Sequence, residues 1–377
     1  MKTRLFHAVI LLCCSVFFCC ASGPAARNKL DKNRSAAAAA LNEMSGGVSS
    51  PAADVSPASK PEIKKGKNGK PNWINNSGSA YRKEFYLSAV GYGKNPMQAE
   101  QNALGNLIAV FGQTVQSSVQ AVETYKRDVE SGAITISNSV SAEQAVKSSS
   151  TMDALFGAEI GDRWDDGKTF YAVAVMDKAK CRQIYSDLFN ANTKLIKTVL
   201  GSSQNKTSIE TVARYYYASK LDAVNAVFKT ILTVLGANGF NTETTGGGYK
   251  FAAWETAQNI PINIVVSGDN TGKIKSAFIA ALAKEGFKTG DSSARYTLRV
   301  KFSLETVDLQ NINKWARYAI DAQLTDNNSG LVLQTFTENG REGHINQTEA
   351  NNRAVLGAAE KIKDEYPASL EDYFSGL

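Results

Sequence analysis

The apolar positions of this chain change period several times, and each change predicts an element. From Phe85 to Tyr92 the run Phe-Tyr-Leu-Ser-Ala-Val-Gly-Tyr is apolar at nearly every position and has strand length. Asn95, Pro96 and Gln98 follow as an N-cap, a first helical residue and a capping-box partner. Leu104, Leu107, Ile108, Phe111, Val115, Val119 and Val122 then recur every three or four residues, which predicts one long helix with a single buried stripe. Ile134 and Ile136 alternate with polar neighbours and predict a strand. Two short runs, 159–164 and 169–176, flank Asp165-Asp166-Gly167, a strong hairpin signal. Strand, helix and three strands make an α+β unit.

Helical period returns over 177–200 and again over 208–235. Asp177 is placed to cap the first helix, Thr207 with Glu210 the second, and Gly201 and Gly236 stand where helices end. The economical reading is a helical hairpin. Its second helix carries Tyr215, Tyr216 and Tyr217, whose side chains point about 100° apart. They cannot all face one core, so they are the candidate partner surface. The rival reading packs all three between two α/β units. After a polar, glycine-rich connection, Ile262 to Ser267 begins a second α/β unit. A helix opens at Asp269 or Asn270, carries Ile274, Phe278, Ile279 and Leu282, and ends at Gly286. Strands are expected at 296–305, 315–324 and 331–337. Asn346 and Glu349 cap a last helix, expected to stop before Pro367.

The amino terminus has neither period. Lys2 and Arg4 precede fourteen apolar residues, Leu5 to Phe18. A bilayer-spanning helix needs about 20, whereas a signal-peptide core needs fewer. The cysteine pair that follows offers cleavage before Cys20 and acylation of its thiol, palmitate included. Cys19, or simple secretion after Ala21, is the alternative. Residues 21–70 are rich in Ala, Ser, Gly, Pro and Lys, and bury too little surface to offset chain entropy. They are expected to be a disordered basic tether.

Charge sharpens this division. The net charge of the chain is +6. Residues 71–377 hold 31 basic and 32 acidic side chains, so the excess lies in the amino-terminal arm. A near-neutral folded part argues against nucleic acid as a partner. Catalytic chemistry has little material. His7 and His344 are the only histidines, and Cys181 is the only cysteine beyond the signal segment. No zinc site of several His or Cys ligands can be built from them, and no cofactor or metal is expected. Asp162, Asp165 and Asp166 cluster at the hairpin, where a turn is the simplest use for them. Gly91-Tyr92-Gly93 lacks the third glycine of a dinucleotide loop, because position 96 is Pro. A glycine-permitted turn is the expected role.

Pro71-Asn72-Trp73-Ile74, the strand Tyr86 to Gly93, Ala99 and Ala103 of the helix, and Tyr171 to Asp177 together resemble the Lpp-twenty family of bacterial membrane-associated lipoproteins. A similar domain opens the flagellar T-ring protein of some bacteria. The resemblance implies an envelope lipoprotein without known catalysis, carries over no catalytic residues, and makes Trp73 a lid on the first core. The carboxy-terminal unit resembles the small amino-terminal domain of TolB. The expected fold is therefore α+β, two small α/β units joined by a helical hairpin behind a cleaved signal peptide and tether. The expected division is 1–20 signal peptide, 21–70 tether, 71–180 first domain, 181–236 hairpin, 237–260 connection and 261–377 second domain. The expected role is a non-enzymatic, lipid-anchored module of an envelope assembly, such as a flagellar or transport one. It would be held in the outer membrane, facing the periplasm, and bind envelope proteins. The alternative is a periplasmic hydrolase or binding protein acting on cell-wall glycan or a small ligand.

Overall fold

The computed structural model describes residues 60–136, 139–148, 155–201, 208–242, 247–309 and 312–375. The signal segment, Cys20 and Thr207 lie outside the described residues. The fold is α+β, as expected. Its first sheet is antiparallel, in the order β1-β3-β2, with β1 at Tyr86–Gly93, β2 at Glu159–Asp165 and β3 at Phe170–Asp177. The central strand is buried on both faces. Ala172, Ala174 and Met176 enter the main core, while Val173 and Val175 enter a smaller one behind the sheet.

Four helices cross over between β1 and β2: α1 (Pro96–Ala109), α2 (Gln113–Ser117), α3 (Val119–Glu130) and α4 (Val140–Ser148). The single long helix expected here is broken at Gly112, which adopts φ +79°. The stripe itself is real, since Leu107, Phe111, Val115 and Val122 are all buried in one core. The strand expected at Ile134 and Ile136 is absent. Both side chains are buried from a turn that follows α3, in which the Ile134 amide donates to the Asp128 carbonyl. Burial alone gave them their alternation.

Gly91 and Gly93 do not serve a turn, as neither has positive φ. A Cβ on Gly91 would lie 2.1 Å from the Ala103 nitrogen, and one on Gly93 2.7 Å from the Ala99 nitrogen. The glycines exist so that the α1 backbone can lie directly on β1. Asn102 and Asn106 then donate to the carbonyls of Tyr92 and Val90 at 2.8 and 2.9 Å. The helix thereby satisfies groups on the outer edge of β1 that would otherwise invite another strand.

The smaller core is closed by the segment before β1. Trp73 is fully buried, with Ala80 and Tyr81 beside it. The side-chain amide of Asn72 donates to the carbonyls of Glu62 and Ser79, and its oxygen accepts from the Lys64 amide. These bonds tie the 62–70 stretch to the domain, so the disorder expected up to residue 70 does not extend that far.

The second sheet runs β5-β4-β6-β7-β8, from β4 (Pro261–Ser267), β5 (Lys288–Gly290), β6 (Tyr296–Val307), β7 (Lys314–Asp326) and β8 (Leu331–His344). β4 is parallel to β5 and β6, and the remaining pairs are antiparallel. Parallel neighbours need a crossover, and α8 (Lys273–Lys284) supplies it. Helix α9 (Gln347–Ser375) packs on the same face and runs through Pro367 instead of stopping before it. Burial of Tyr366, Pro367, Leu370 and Phe374 holds the helix together across the proline's missing donor. The expected connection contains a further helix, α7 (Gly248–Ala257).

The expected hairpin is present as α5 (Lys178–Gly201) and α6 (Ile209–Val234). Ser208 caps α6 by accepting from the Thr211 amide. Two buried asparagines fix the pairing. Asn192 accepts from Tyr125 and donates to Asn225, and Asn225 donates to Thr193 and to the Phe189 carbonyl. A buried network satisfied in this way favours one register over its neighbours. Helix α6 also belongs to both halves. Ile209, Val212, Ala213 and Tyr216 enter the second core, whereas Tyr217, Leu221, Val224 and Phe228 enter the first. Among the described residues, no helix is long and apolar enough to cross a membrane.

Candidate interaction site

The tyrosine triad is not an exposed surface. Tyr216 and Tyr217 are buried in different cores, and the half-buried Tyr215 packs against both. A helix shared by two cores has apolar demand on two faces, so three consecutive aromatic residues can all be used. The Tyr216 hydroxyl donates to Glu285, and its ring lies beneath the Lys250 ammonium at 5.9 Å. Burial pushes the Tyr217 hydroxyl up to about 12.

Exposed aromatic rings lie elsewhere, at Phe251 and Trp254 of α7 and at Tyr92, which stands at the hairpin end of the first sheet. The Asp165–Gly167 turn is built by its own side chains. Asp165 accepts from the Gly167 amide, and Asp166 accepts from Lys168 and Thr169 at 2.9 and 2.8 Å. Those last two amides hold the Asp166 carboxyl below its ordinary value. Gly167 takes φ +83°, which closes the turn. The register that follows sets Tyr171 opposite both Tyr92 and Trp164. Residues opposite one another share a face, so the three aromatics form a row across all three strands. Trp164 and Tyr171 are in contact, with ring centroids 5.5 Å apart, and Tyr92 is 66% exposed. A depression of about 230 Å³ lies beside the row, lined by Pro96, Arg163, Trp164, Asp165, Phe170 and Tyr171. Arg163 is held by Glu100 of α1, and that bond raises the guanidinium further above its ordinary value. Met97, in the first turn of α1, is a second exposed apolar side chain of this domain.

The other candidates have structural duties. Asp162 accepts from the indole of Trp73 at 2.8 Å, so the three acids do not converge on one point. Nδ1 of His344 accepts from the Asn346 amide where β8 turns into α9. Cys181 is buried against the Gly157 carbonyl, and burial pushes its thiol up to about 12. Among the described residues, no three His, Cys, Asp or Glu side chains are grouped to hold a metal ion. Sequence reading missed the aromatic row. The available signal was that Trp164 and Tyr171 stand symmetrically about the turn, which forces them to face each other.

A three-stranded sheet with α1 laid on its glycines and a buried Trp closing it behind makes this a small α+β domain. Residues 71–177 match the family model of the LPP20 lipoproteins. No curated protein matches the chain. Among solved structures, the secreted protein HP1454 of Helicobacter pylori is similar at 14% identity and a TM-score of 0.39, over 74% of this chain and 97% of that one. A minor lipoprotein of Acinetobacter baumannii is similar at 12% identity and 0.24, over 29% and 92%. Lipoprotein GNA1162 of Neisseria meningitidis is similar at 12% and 0.22, over 29% and 99%. At such scores these likenesses carry no functional conclusion.

Proposed function

We propose that the protein is a non-enzymatic envelope lipoprotein, acylated at Cys20 and held in the outer membrane facing the periplasm, that binds protein partners through the hairpin end of its first sheet. The observation that carries this reading is the exposed Tyr92 at the end of a row with the half-buried Tyr171 and Trp164, on the domain that matches the lipoprotein family. Tyrosine and tryptophan give contact area at little entropic loss, and a row spread over three paired strands is already rigid. The turn carboxylates and Arg163 around it supply a polar rim.

The test places a photo-crosslinker at Met97, beside the start of α1, in cells producing the full chain. A cross-linked envelope protein is expected, and Tyr92→Ser is expected to abolish the product. Its melting transition should stay put, because a two-thirds-exposed ring contributes within about 0.5 kcal/mol. Cross-linking unaffected by Tyr92→Ser would reject the surface. Turnover of peptidoglycan by the purified chain would reject the non-enzymatic reading. Mass spectrometry of the mature amino terminus decides the anchor, and a chain starting at Ser22 without lipid would rule it out.

A further inference from the structure

The second sheet is covered on one face only. Leu298, Val300, Phe302, Tyr318, Ile320 and Phe336 point into the core beneath α8 and α9. The alternate positions of the same strands are solvent-facing, and they carry four cations against two carboxylates. Arg299 and Lys301 on β6, Arg317 on β7 and Arg341 on β8 all project from this face. None of the four is in an ion pair among the described residues. The acids on the face are Asp321, opposite Lys301, and Glu305, opposite Arg317. Arg317 and Arg341 stand directly opposite one another. Like charges so placed repel, and an antiparallel sheet gains nothing from them unless an anion comes between. The Arg341 guanidinium lies 5.5 Å over the Trp315 ring, which in turn lies on β8 at Gly343, where a Cβ would meet it at 2.9 Å. A shallow depression of about 290 Å³ on this face is lined by Arg299, Lys301, Asp321, Val265, Ser267 and Gln323.

Residues 71–377 as a whole are nearly neutral, so this is segregated charge and not a general excess. We propose that the open face of the second sheet docks on anionic phospholipid head groups of the membrane that holds the lipid anchor. The face is uncovered by any helix, and its unpaired cations match phosphate. Trp315 is an indole of the kind that settles at the level of head groups. Two other occupants fail on charge. The amino-terminal arm is basic, and the same face of a second copy is basic. The proposal rests on the lipid-anchored reading, and its test keeps the two apart.

Full-length lipidated protein is reconstituted in vesicles of phosphatidylcholine alone and of phosphatidylcholine with phosphatidylglycerol, each carrying a lipid brominated near the head group. Sedimentation with the neutral vesicles reports the anchor. Quenching of Trp315, isolated by comparison with Trp315→Phe, reports docking. Quenching is expected in the anionic vesicles only, and raised salt should abolish it. Arg299→Gln, Lys301→Gln and Arg317→Gln should each lower the ratio of docked to undocked protein about five-fold. Equal quenching in both vesicle types would overturn the proposal. So would quenching or protection that follows protein density and not anionic lipid. That result would assign the face to the acidic groove of a second copy, which Glu338, Asp364, Glu365 and Asp372 line between β8 and α9. A chain that fails to sediment with neutral vesicles lacks its anchor. Docking is then read from the anionic vesicles alone, and no binding there would overturn it.

Discussion

The two sheets solve the same problem in opposite ways. The first has three strands and is closed on both faces, by α1 laid on Gly91 and Gly93 in front and by Trp73 and Tyr81 behind. Only its hairpin end is left open. The second has five strands and one open face, with charged residues alternating against a buried face along β6, β7 and β8. An antiparallel sheet can leave one face in water, and a strand buried on both sides cannot. The difference decides where each half can meet something else. A closed sheet offers its edge and tip, while an open one offers a plane. The buried polar groups differ in the same sense. The first core is pinned by Asn192, Asn225 and Tyr125, none of which titrates near neutrality, whereas the second buries the carboxyl of Glu285 against Tyr216.

The largest effect should come from opening the closed sheet. Trp73→Ala removes a fully buried indole and leaves Asp162 without its donor. We expect a loss of about 3–5 kcal/mol by denaturant unfolding. Trp315→Ala, its counterpart on the open face, should lose well under half of that. Equal losses from the two would break the comparison. Next comes Gly91→Ala, whose methyl group meets backbone at 2.1 Å and can be relieved only by moving α1 off β1. About 3 kcal/mol is expected. Gly343→Ala on the second sheet meets the side chain of Trp315 and not backbone, and should lose less. A smaller loss at Gly91 than at Gly343 would show that α1 is not pressed on the strand.

A third variant tests the polar difference. Burial raises the Glu285 carboxyl above its ordinary value, and the Tyr216 bond opposes the rise. Glu371 adds to it, while Lys250 and Lys284 oppose it. In the folded state the group therefore holds its proton to higher pH than in the unfolded chain. Between the two values the folded state binds more protons, so stability falls as pH rises through that window. Glu285→Gln keeps a polar partner for Tyr216 and has nothing to titrate. Thermal melting from about pH 4 to pH 7 should fall for the natural chain and stay flatter for Glu285→Gln. Matching profiles would mean that the carboxyl is not sensed by the fold. Asn225→Gln, in the neutral network of the first core, should shift stability without altering its pH dependence.

Local physics was sufficient for much of this molecule. The Asn95–Pro96–Gln98 cap, the Asp-Asp-Gly hairpin, the buried stripe of Leu107, Phe111, Val115 and Val122, and the alternation along β6 to β8 were all readable, because each is a rule about neighbours within one element. The lipoprotein resemblance was readable for the same reason, since each piece of its motif lies within one element. What failed was whatever depended on a distant partner. Gly91 looked like a turn residue because the helix that needs its bareness starts five residues later and folds back over it. Ile134 and Ile136 looked like a strand because burial by other helices imitates pleating. Pro367 looked like a stop because only the core beneath α9 can compensate for its missing bond. The tyrosine triad looked exposed because one core cannot hold three consecutive rings; the rival placement between two units is the one the fold adopts, with α6 serving both cores. Sequence sets the preferences of a segment, and tertiary packing decides how many surfaces that segment must satisfy at once.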